Sequence, residues 1–159
     1  MAPPKTNVCR LLDKAGARYE MRTYDVADGH IDGPSVAAKV GQDPARVFKT
    51  LVTRGHSGAY CVFVLPCNRE LDLKAAAKAA GEKSVEMIHV AEINRVTGYI
   101  RGGCSPLGMK KPYRTVFDSS CRNFEQIVVS AGKIGVQVDV EVEALLALCS
   151  AGVAPITAP

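Results

Sequence analysis

Three segments hold residue types at spacings that chemistry can use. The first is Val47-Phe48-Lys49-Thr50-Leu51-Val52, where a lysine interrupts an apolar strand. Side chains alternate along a strand, so Lys49 shares a face with Val47 and Leu51 while Phe48, Thr50 and Val52 share the other. Such a lysine either runs its stem along apolar surface to reach water or turns its ammonium into a pocket. The second segment, Gly98 to Met109, contains four glycines and one proline. That composition makes a shaped loop whose backbone N–H and C=O groups a ligand can approach closely, although a tight turn between strands is the plainer reading. Its Gly and Lys spacing fits neither a Walker A loop nor a G-x-G-x-x-G fingerprint, so nucleotide hydrolysis has no support. The third segment, Ser130-Ala131-Gly132-Lys133-Ile134-Gly135, follows the apolar run Ile127-Val128-Val129. No G-x-S-x-G elbow and no Ser/His/Asp order accompanies it, which removes a recognisable serine-hydrolase triad.

The elements that must position these segments are set by hydrophobic period and by punctuation. Val8, Leu11, Leu12 and Ala15 fall on one helical face, with Thr6 or Asn7 as N-cap and Gly16 as stop. Tyr19, Met21 and Thr23 alternate with Glu20, Arg22 and Tyr24, as in a half-buried strand. After the loop Asp28–Pro34, a short helix over 34–41 begins at Pro and ends at Gly. Strands are expected at 46–53 and 59–66 around the turn Gly55-His56-Ser57-Gly58. Asp72 caps a helix over 73–80, and another covers 91–97. Further strands are expected at 99–101, 115–118, 126–130 and 136–142, before a closing helix over 142–151. Strands outnumber helices and adjoin one another in the second half, which implies an α+β or mixed-sheet α/β class.

Composition narrows the function classes. The 159 residues carry 20 Lys+Arg against 16 Asp+Glu, 47% apolar residues, six cysteines and no Trp. A chain of this size can bury roughly 68–70% of its unfolded surface, so one domain over 1–159 with a core over about 5–150 is expected without a metal or disulfide staple. No apolar run approaches the ~20 residues of a membrane span, and the start shows no signal-peptide h-region; a cytoplasmic protein without a membrane partner is expected. The cysteines form no C-x-x-C pair and have no His at ligand spacing, so they read as reduced thiols with no metal and no cofactor. His30, His56 and His89 stand far apart and read as surface or loop residues. The net charge of +4 is concentrated: residues 95–114 hold Arg95, Arg101, Lys110, Lys111 and Arg114 with no acid among them. That stretch is either a solvated basic loop or the footprint of an anionic partner such as nucleic acid.

Taken together and in order, the segments resemble the YbaK family of aminoacyl-tRNA editing domains, and among them the bacterial Cys-tRNA(Pro) deacylases. The resemblance rests on Thr23-Tyr24, Val47-Phe48-Lys49-Thr50-Leu51, Glu70-Leu71-Asp72-Leu73-Lys74, Lys83-Ser84-Val85-Glu86-Met87, Thr97-Gly98-Tyr99, the run Gly102-Gly103-Cys104-Ser105-Pro106-Leu107-Gly108-Met109-Lys110-Lys111, and Val129-Ser130-Ala131-Gly132-Lys133. The Gly-Gly-x-Ser-Pro-Leu-Gly stretch behind an upstream Phe-Lys-Thr is its most specific part.

The resemblance implies a single domain with a curved, mostly antiparallel mixed sheet and surrounding helices, and a small pocket for the aminoacylated 3′ end of tRNA. It implies trans-editing: removal of cysteine wrongly attached to tRNA(Pro), with the substrate's own thiol cleaving the ester. Lys49 would be the catalytic residue. Tyr24, Ile31, Thr50, Gly102, Gly103, Ser130 and Gln137 would bind the substrate, and Arg101, Lys110 and Lys111 the tRNA. Aminoacylated tRNA(Pro) and prolyl-tRNA synthetase would be the partners, with no DNA. Two positions depart from the family: Gln137 stands where an Asp is usual, with Asp139 two residues on, and Cys104 replaces an aliphatic residue in the glycine loop. Two alternatives remain at this stage, an Ala-tRNA(Pro) deacylase of the same family and a non-catalytic tRNA-binding or regulatory module.

Overall fold

The structure is a computed structural model that describes residues 4–159. The first helix, α1 (Asn7–Lys14), starts where Thr6 accepts a hydrogen bond from the Cys9 N–H, and it buries Val8, Cys9 and Leu12. Strand β1 (Tyr19–Thr23) follows, then α2 (Gly33–Lys39), whose N-cap Asp32 accepts from the Ser35 N–H. A 3₁₀ turn at Pro44–Arg46 leads into β2 (Phe48–Gly55), which folds back on β3 (Tyr60–Pro66). Helix α3 (Leu73–Ala80) is capped by Asp72 and stopped by Gly81 in the left-handed conformation, the helix ending that glycine permits. The chain continues through β4 (Val85–Met87), α4 (Val90–Thr97), β5 (Arg114–Asp118), a second 3₁₀ turn (Ser119–Asn123), β6 (Gln126–Lys133), β7 (Val136–Glu141), α5 (Val142–Leu148) and β8 (Gly152–Ala154).

The strands form two sheets. One has the order β1-β7-β6 and is antiparallel throughout; the other has the order β4-β2-β3-β5-β8, antiparallel at β2–β3 and β2–β4 but parallel at β3–β5 and β5–β8. The α/β class expected from the sequence holds, and the single curved sheet resolves into two that touch at one seam. At that seam Val47 and Val128 pair as an isolated parallel bridge, so the foot of β2 is stitched to β6. The main core lies between the sheets and includes Leu12, Phe48, Phe117, Ile127, Val138 and Leu145. A second core packs α3 onto the outer face of the larger sheet through Ala76, Ala77 and Ala80 against Phe63 and Leu65. Phe63 and Phe117 are fully buried, each contributing roughly 1.5–3 kcal/mol relative to exposure.

Two sequence expectations are corrected. Residues 99–101 form a turn rather than a strand, because Gly98 and Gly102 on either side take φ of 84° and 88° and the Gly103 N–H closes onto the Ile100 carbonyl. The closing helix ends at Leu148 rather than 151: Ser150 adopts φ 48°, which ends the helix and sends the chain into β8. Strands β4 and β8 were not expected; each is three residues long, too short for a period to register. Among the described residues, no helix is long and apolar enough to cross a membrane.

Candidate active site

A cavity of about 920 Å³ opens where the two sheets meet. That lies within the range of small-molecule sites. Its floor is the foot of β2, with Phe48, Lys49 and Thr50; one wall comes from Ser130 on β6 and Gln137 on β7, which face each other in register; the other comes from Met87, Ile88, Val90 and Ile93. Tyr24 enters from the end of β1, Ile31 and Asp32 from the loop before α2, and Arg101, Gly102 and Cys104 from the glycine loop.

Each wall is held by close packing. A Cβ on Gly33 would lie 2.4 Å from the Cys67 Cβ, so only glycine lets the start of α2 reach the end of β3 and bring Ile31 to the rim. The glycine loop is hung on Tyr99. Its hydroxyl donates to the Leu107 carbonyl and lies 2.7 Å from where a Cβ on Gly108 would be, and its ring lies 2.8 Å from where a Cβ on Gly132 would be. Both glycines have positive φ, so the loop and the β6 turn are fitted to one tyrosine. The Gly132 N–H donates to Ser130 Oγ at 3.1 Å, which fixes that hydroxyl at the mouth of the turn. Arg54 on β2 holds Glu92 of α4 at 2.8 Å and so sets the position of the apolar wall.

The residues singled out in the sequence do not all land together. Tyr24, Ile31, Lys49, Thr50, Arg101, Gly102, Ser130 and Gln137 line the cavity. Gly103 is not among the lining residues and packs against the main chain of Lys133–Ile134, where a Cβ would meet the Ile134 nitrogen at 3.1 Å. Its part is to seat the loop on the β6–β7 turn. Lys110 and Lys111 are exposed outside the cavity, and Arg95 is drawn to Glu92 of its own helix. Sequence reasoning missed Cys67 and the wall Met87–Ile93. The traces of that wall in the sequence were Met87, at the end of a segment carrying the resemblance, and the helix expected over 91–97, which contains Ile93.

Electrostatics divides the wall from its surroundings. The Thr50 hydroxyl and the Gln137 amide oxygen are buried with no hydrogen-bond partner. Asp32 is engaged by the Ser35 N–H and hydroxyl, which hold its carboxyl below the ordinary value. Asp139 takes hydrogen bonds from Arg46 at 2.6 and 3.0 Å and from Arg22 at 2.8 Å; burial pushes its pKa up, but the two guanidiniums more than offset this, and it stays below the ordinary carboxylate value. Lys49 therefore has no carboxylate partner among the described residues. Burial pushes the thiols of Cys67 and Cys104 up to about 11, which leaves them protonated and poor nucleophiles. No histidine is among the lining residues; His30, His56 and His89 are all exposed. Among the described residues, no three His, Cys, Asp or Glu side chains gather as metal ligands would.

Residues 34–148 match the model of the aminoacyl-tRNA editing domain. A curated protein of Enterococcus faecalis, provisionally named Cys-tRNA(Pro)/Cys-tRNA(Cys) deacylase EbsC, is 43% identical over 153 residues, covering 96% of this chain and 93% of its own. The chain belongs to the aminoacyl-tRNA editing domain family. Solved structures agree on the fold. That of hypothetical protein APE2540 superposes with a TM-score of 0.86 at 19% identity, over 96% of this chain and 100% of its own. That of a protein described provisionally as a trans-editing enzyme for prolyl tRNA synthetase gives 0.83 at 21% identity, over 99% and 100%. In the editing domain described here, the matched region begins at Pro34 and so takes in Lys49, the glycine loop and both polar wall strands.

Proposed function

We propose that the chain acts as one unit, a trans-editing deacylase that removes cysteine from mischarged tRNA(Pro), and that the cavity at the sheet seam is where the aminoacyl ester sits. The observation that carries this is a cation without a carboxylate partner beside unpaired polar atoms. Lys49, the Thr50 hydroxyl and the Gln137 amide share one cavity of small-molecule size. Unpaired buried polar atoms are expensive to keep, at about 1–3 kcal/mol each, unless a ligand completes them. The name of the 43% identical relative supports cysteine as the amino acid.

The chemistry follows from what the wall holds. Its own thiols are protonated and Ser130 has no base, so the nucleophile is assigned to the substrate. The cysteinyl thiolate attacks its own ester carbonyl, forming a C–S bond. The ester C–O bond then breaks, releasing a cyclic thioester and the tRNA ribose oxygen, which takes up a proton. Lys49 stabilises the negative charge that develops on oxygen. Free thiols titrate near ~8.5, so a neighbouring cation raises the reactive thiolate fraction. Editing meets a real need. Cysteine and proline differ little in volume, and a pocket gains only ~1–3 kcal/mol of discrimination per methylene-sized difference.

The tRNA is engaged mainly by backbone contacts to Arg101, Lys110 and Lys111, and binding weakens steeply with salt. Prolyl-tRNA synthetase is the proposed partner that supplies tRNA(Pro) selectivity. The test is deacylation of Cys-, Ala- and Pro-tRNA(Pro) in parallel with S-methyl-Cys-tRNA(Pro). Rapid release of cysteine alone is expected. Equal release of S-methylcysteine would end the thiol mechanism, and no release at all would leave only a tRNA-binding module.

A further inference from the structure

Gln137 is 7% exposed, central in the β1-β7-β6 sheet, and its amide oxygen has no partner. The charged and titratable groups around it divide clearly. From β2 comes the Lys49 ammonium, and from the glycine loop Arg101 and the protonated thiol of Cys104; the protonated thiol of Cys67 lies at the end of β3. On β1, Arg22 is the register partner of Gln137, but its guanidinium is turned onto Asp139 and Glu20. Asp139 is closed off by Arg22 and Arg46. At the rim, Asp32 is tied to Ser35, and on the loop between β1 and α2 Asp25 caps Ala27, Asp28 holds Lys39 and His30 is exposed. On the remaining side Lys133 is exposed and Ser130 and Tyr24 are neutral polar neighbours. Two cations, Lys49 and Arg101, and an unpaired amide therefore line the cavity, against a single lining carboxylate, Asp32, which is exposed at the rim and held by Ser35.

We propose that this pocket takes the aminoacyl group with its α-amine uncharged, the Gln137 amide accepting a hydrogen bond from the neutral amine. This rests on the cavity being the aminoacyl site. An α-ammonium placed in the same enclosure as Lys49 would be repelled by it, since like charges a few ångströms apart are only partly screened at a partly buried site. The α-amino group titrates near ~7.7–8.0, so at neutral pH on the order of one ester in ten is in the binding form.

The experiment measures binding rather than turnover. It uses two non-hydrolysable ligands without a thiol, 3′-alanylamino-3′-deoxyadenosine and its 3′-lactylamino counterpart, which differ only in carrying an α-amine or an α-hydroxyl. From about pH 6 to about pH 9 the alanyl ligand is expected to tighten tenfold or more, with the midpoint at its own amine pKa, while the lactyl ligand changes less than about twofold. The lactyl ligand also subtracts any titration of the protein itself. Gln137→Glu is expected to invert the alanyl profile, because a carboxylate there holds the ammonium form and releases it as pH rises. Alanyl binding that is flat, or tightest at pH 6, in the wild-type protein overturns the proposal, as does failure of both ligands to bind. If Gln137→Glu does not fold, the wild-type comparison decides alone. The predicted profile without any deacylation would sink the enzymatic reading and spare this one; cysteine release with flat alanyl binding would do the converse.

Discussion

Asp139 and Gln137 are both almost wholly buried, at 2% and 7% exposure, and both lie on the face of β7 turned away from the core valines 136, 138 and 140. Their surroundings differ completely. Asp139 receives hydrogen bonds from two arginines, Arg46 in turn binds Gln42 and the Gln126 carbonyl, and the group sits against the seam where Val47 meets Val128. Gln137, two residues earlier, has no partner for its amide oxygen and looks into the cavity. One site is closed by protein atoms and the other waits for atoms the protein does not supply. The difference teaches that a buried polar residue is informative through its partners, since a satisfied network rigidifies and an unsatisfied one invites a ligand.

That contrast can be broken by substitution. The largest effect is expected on the closed side. Asp139→Ala leaves two guanidiniums without their carboxylate and should cost about 3 kcal/mol of stability in urea unfolding. A loss under about 1 kcal/mol would show that the pair does not clamp the sheets. The sign with pH is fixed by the depressed Asp139 pKa: its contribution is fully present above the ordinary carboxylate value and is lost as pH falls through the folded value, so wild type and Asp139→Ala should converge in acid.

On the open side the effects fall on activity instead. Lys49→Ala should lower the deacylation rate at least ~tenfold without moving the thermal midpoint by more than a few degrees. An unchanged rate would remove Lys49 from the chemistry. Thr50→Val should cost a smaller factor, about threefold to tenfold, while stability holds or rises by up to about 1 kcal/mol, because an unpaired buried hydroxyl is exchanged for a methyl group. A Thr50→Val protein that is both less stable and fully active would reverse the comparison. Cys104→Ala should change the rate less than about twofold, since its thiol is protonated at neutral pH; a loss as large as that of Lys49→Ala would transfer the nucleophile to the protein.

Much of this was legible before the fold was known. The helix start at Thr6, the Asp72 cap and the β2–β3 hairpin are local signals of capping and turn chemistry, and they hold to within a residue or two. Lys49, Thr50, Ser130 and Gln137 were readable as a set through resemblance, and all four line one cavity. What local reasoning missed was long-range. Residues 99–101 read as a short strand, yet the flanking positive-φ glycines turn the chain there. Gly103 was expected to bind substrate through the resemblance, and only the approach of Lys133–Ile134 reveals its contact. The wall from Met87 to Ile93 depends on how α4 is held by Arg54, a contact 38 residues apart in sequence.

The seam has a consequence for the order in which the molecule matures. Arg46 and Asp139 are 93 residues apart, and the Val47–Val128 bridge is nearly as distant, so the segment bearing Lys49 gains its opposite wall only when β6 and β7 dock. Contacts of such separation form late and slowly, because chain entropy is lost before they repay it. A nascent chain would therefore carry its lysine through most of its synthesis without that opposite wall. Binding competence should arrive in one step, together with the last strands of the smaller sheet.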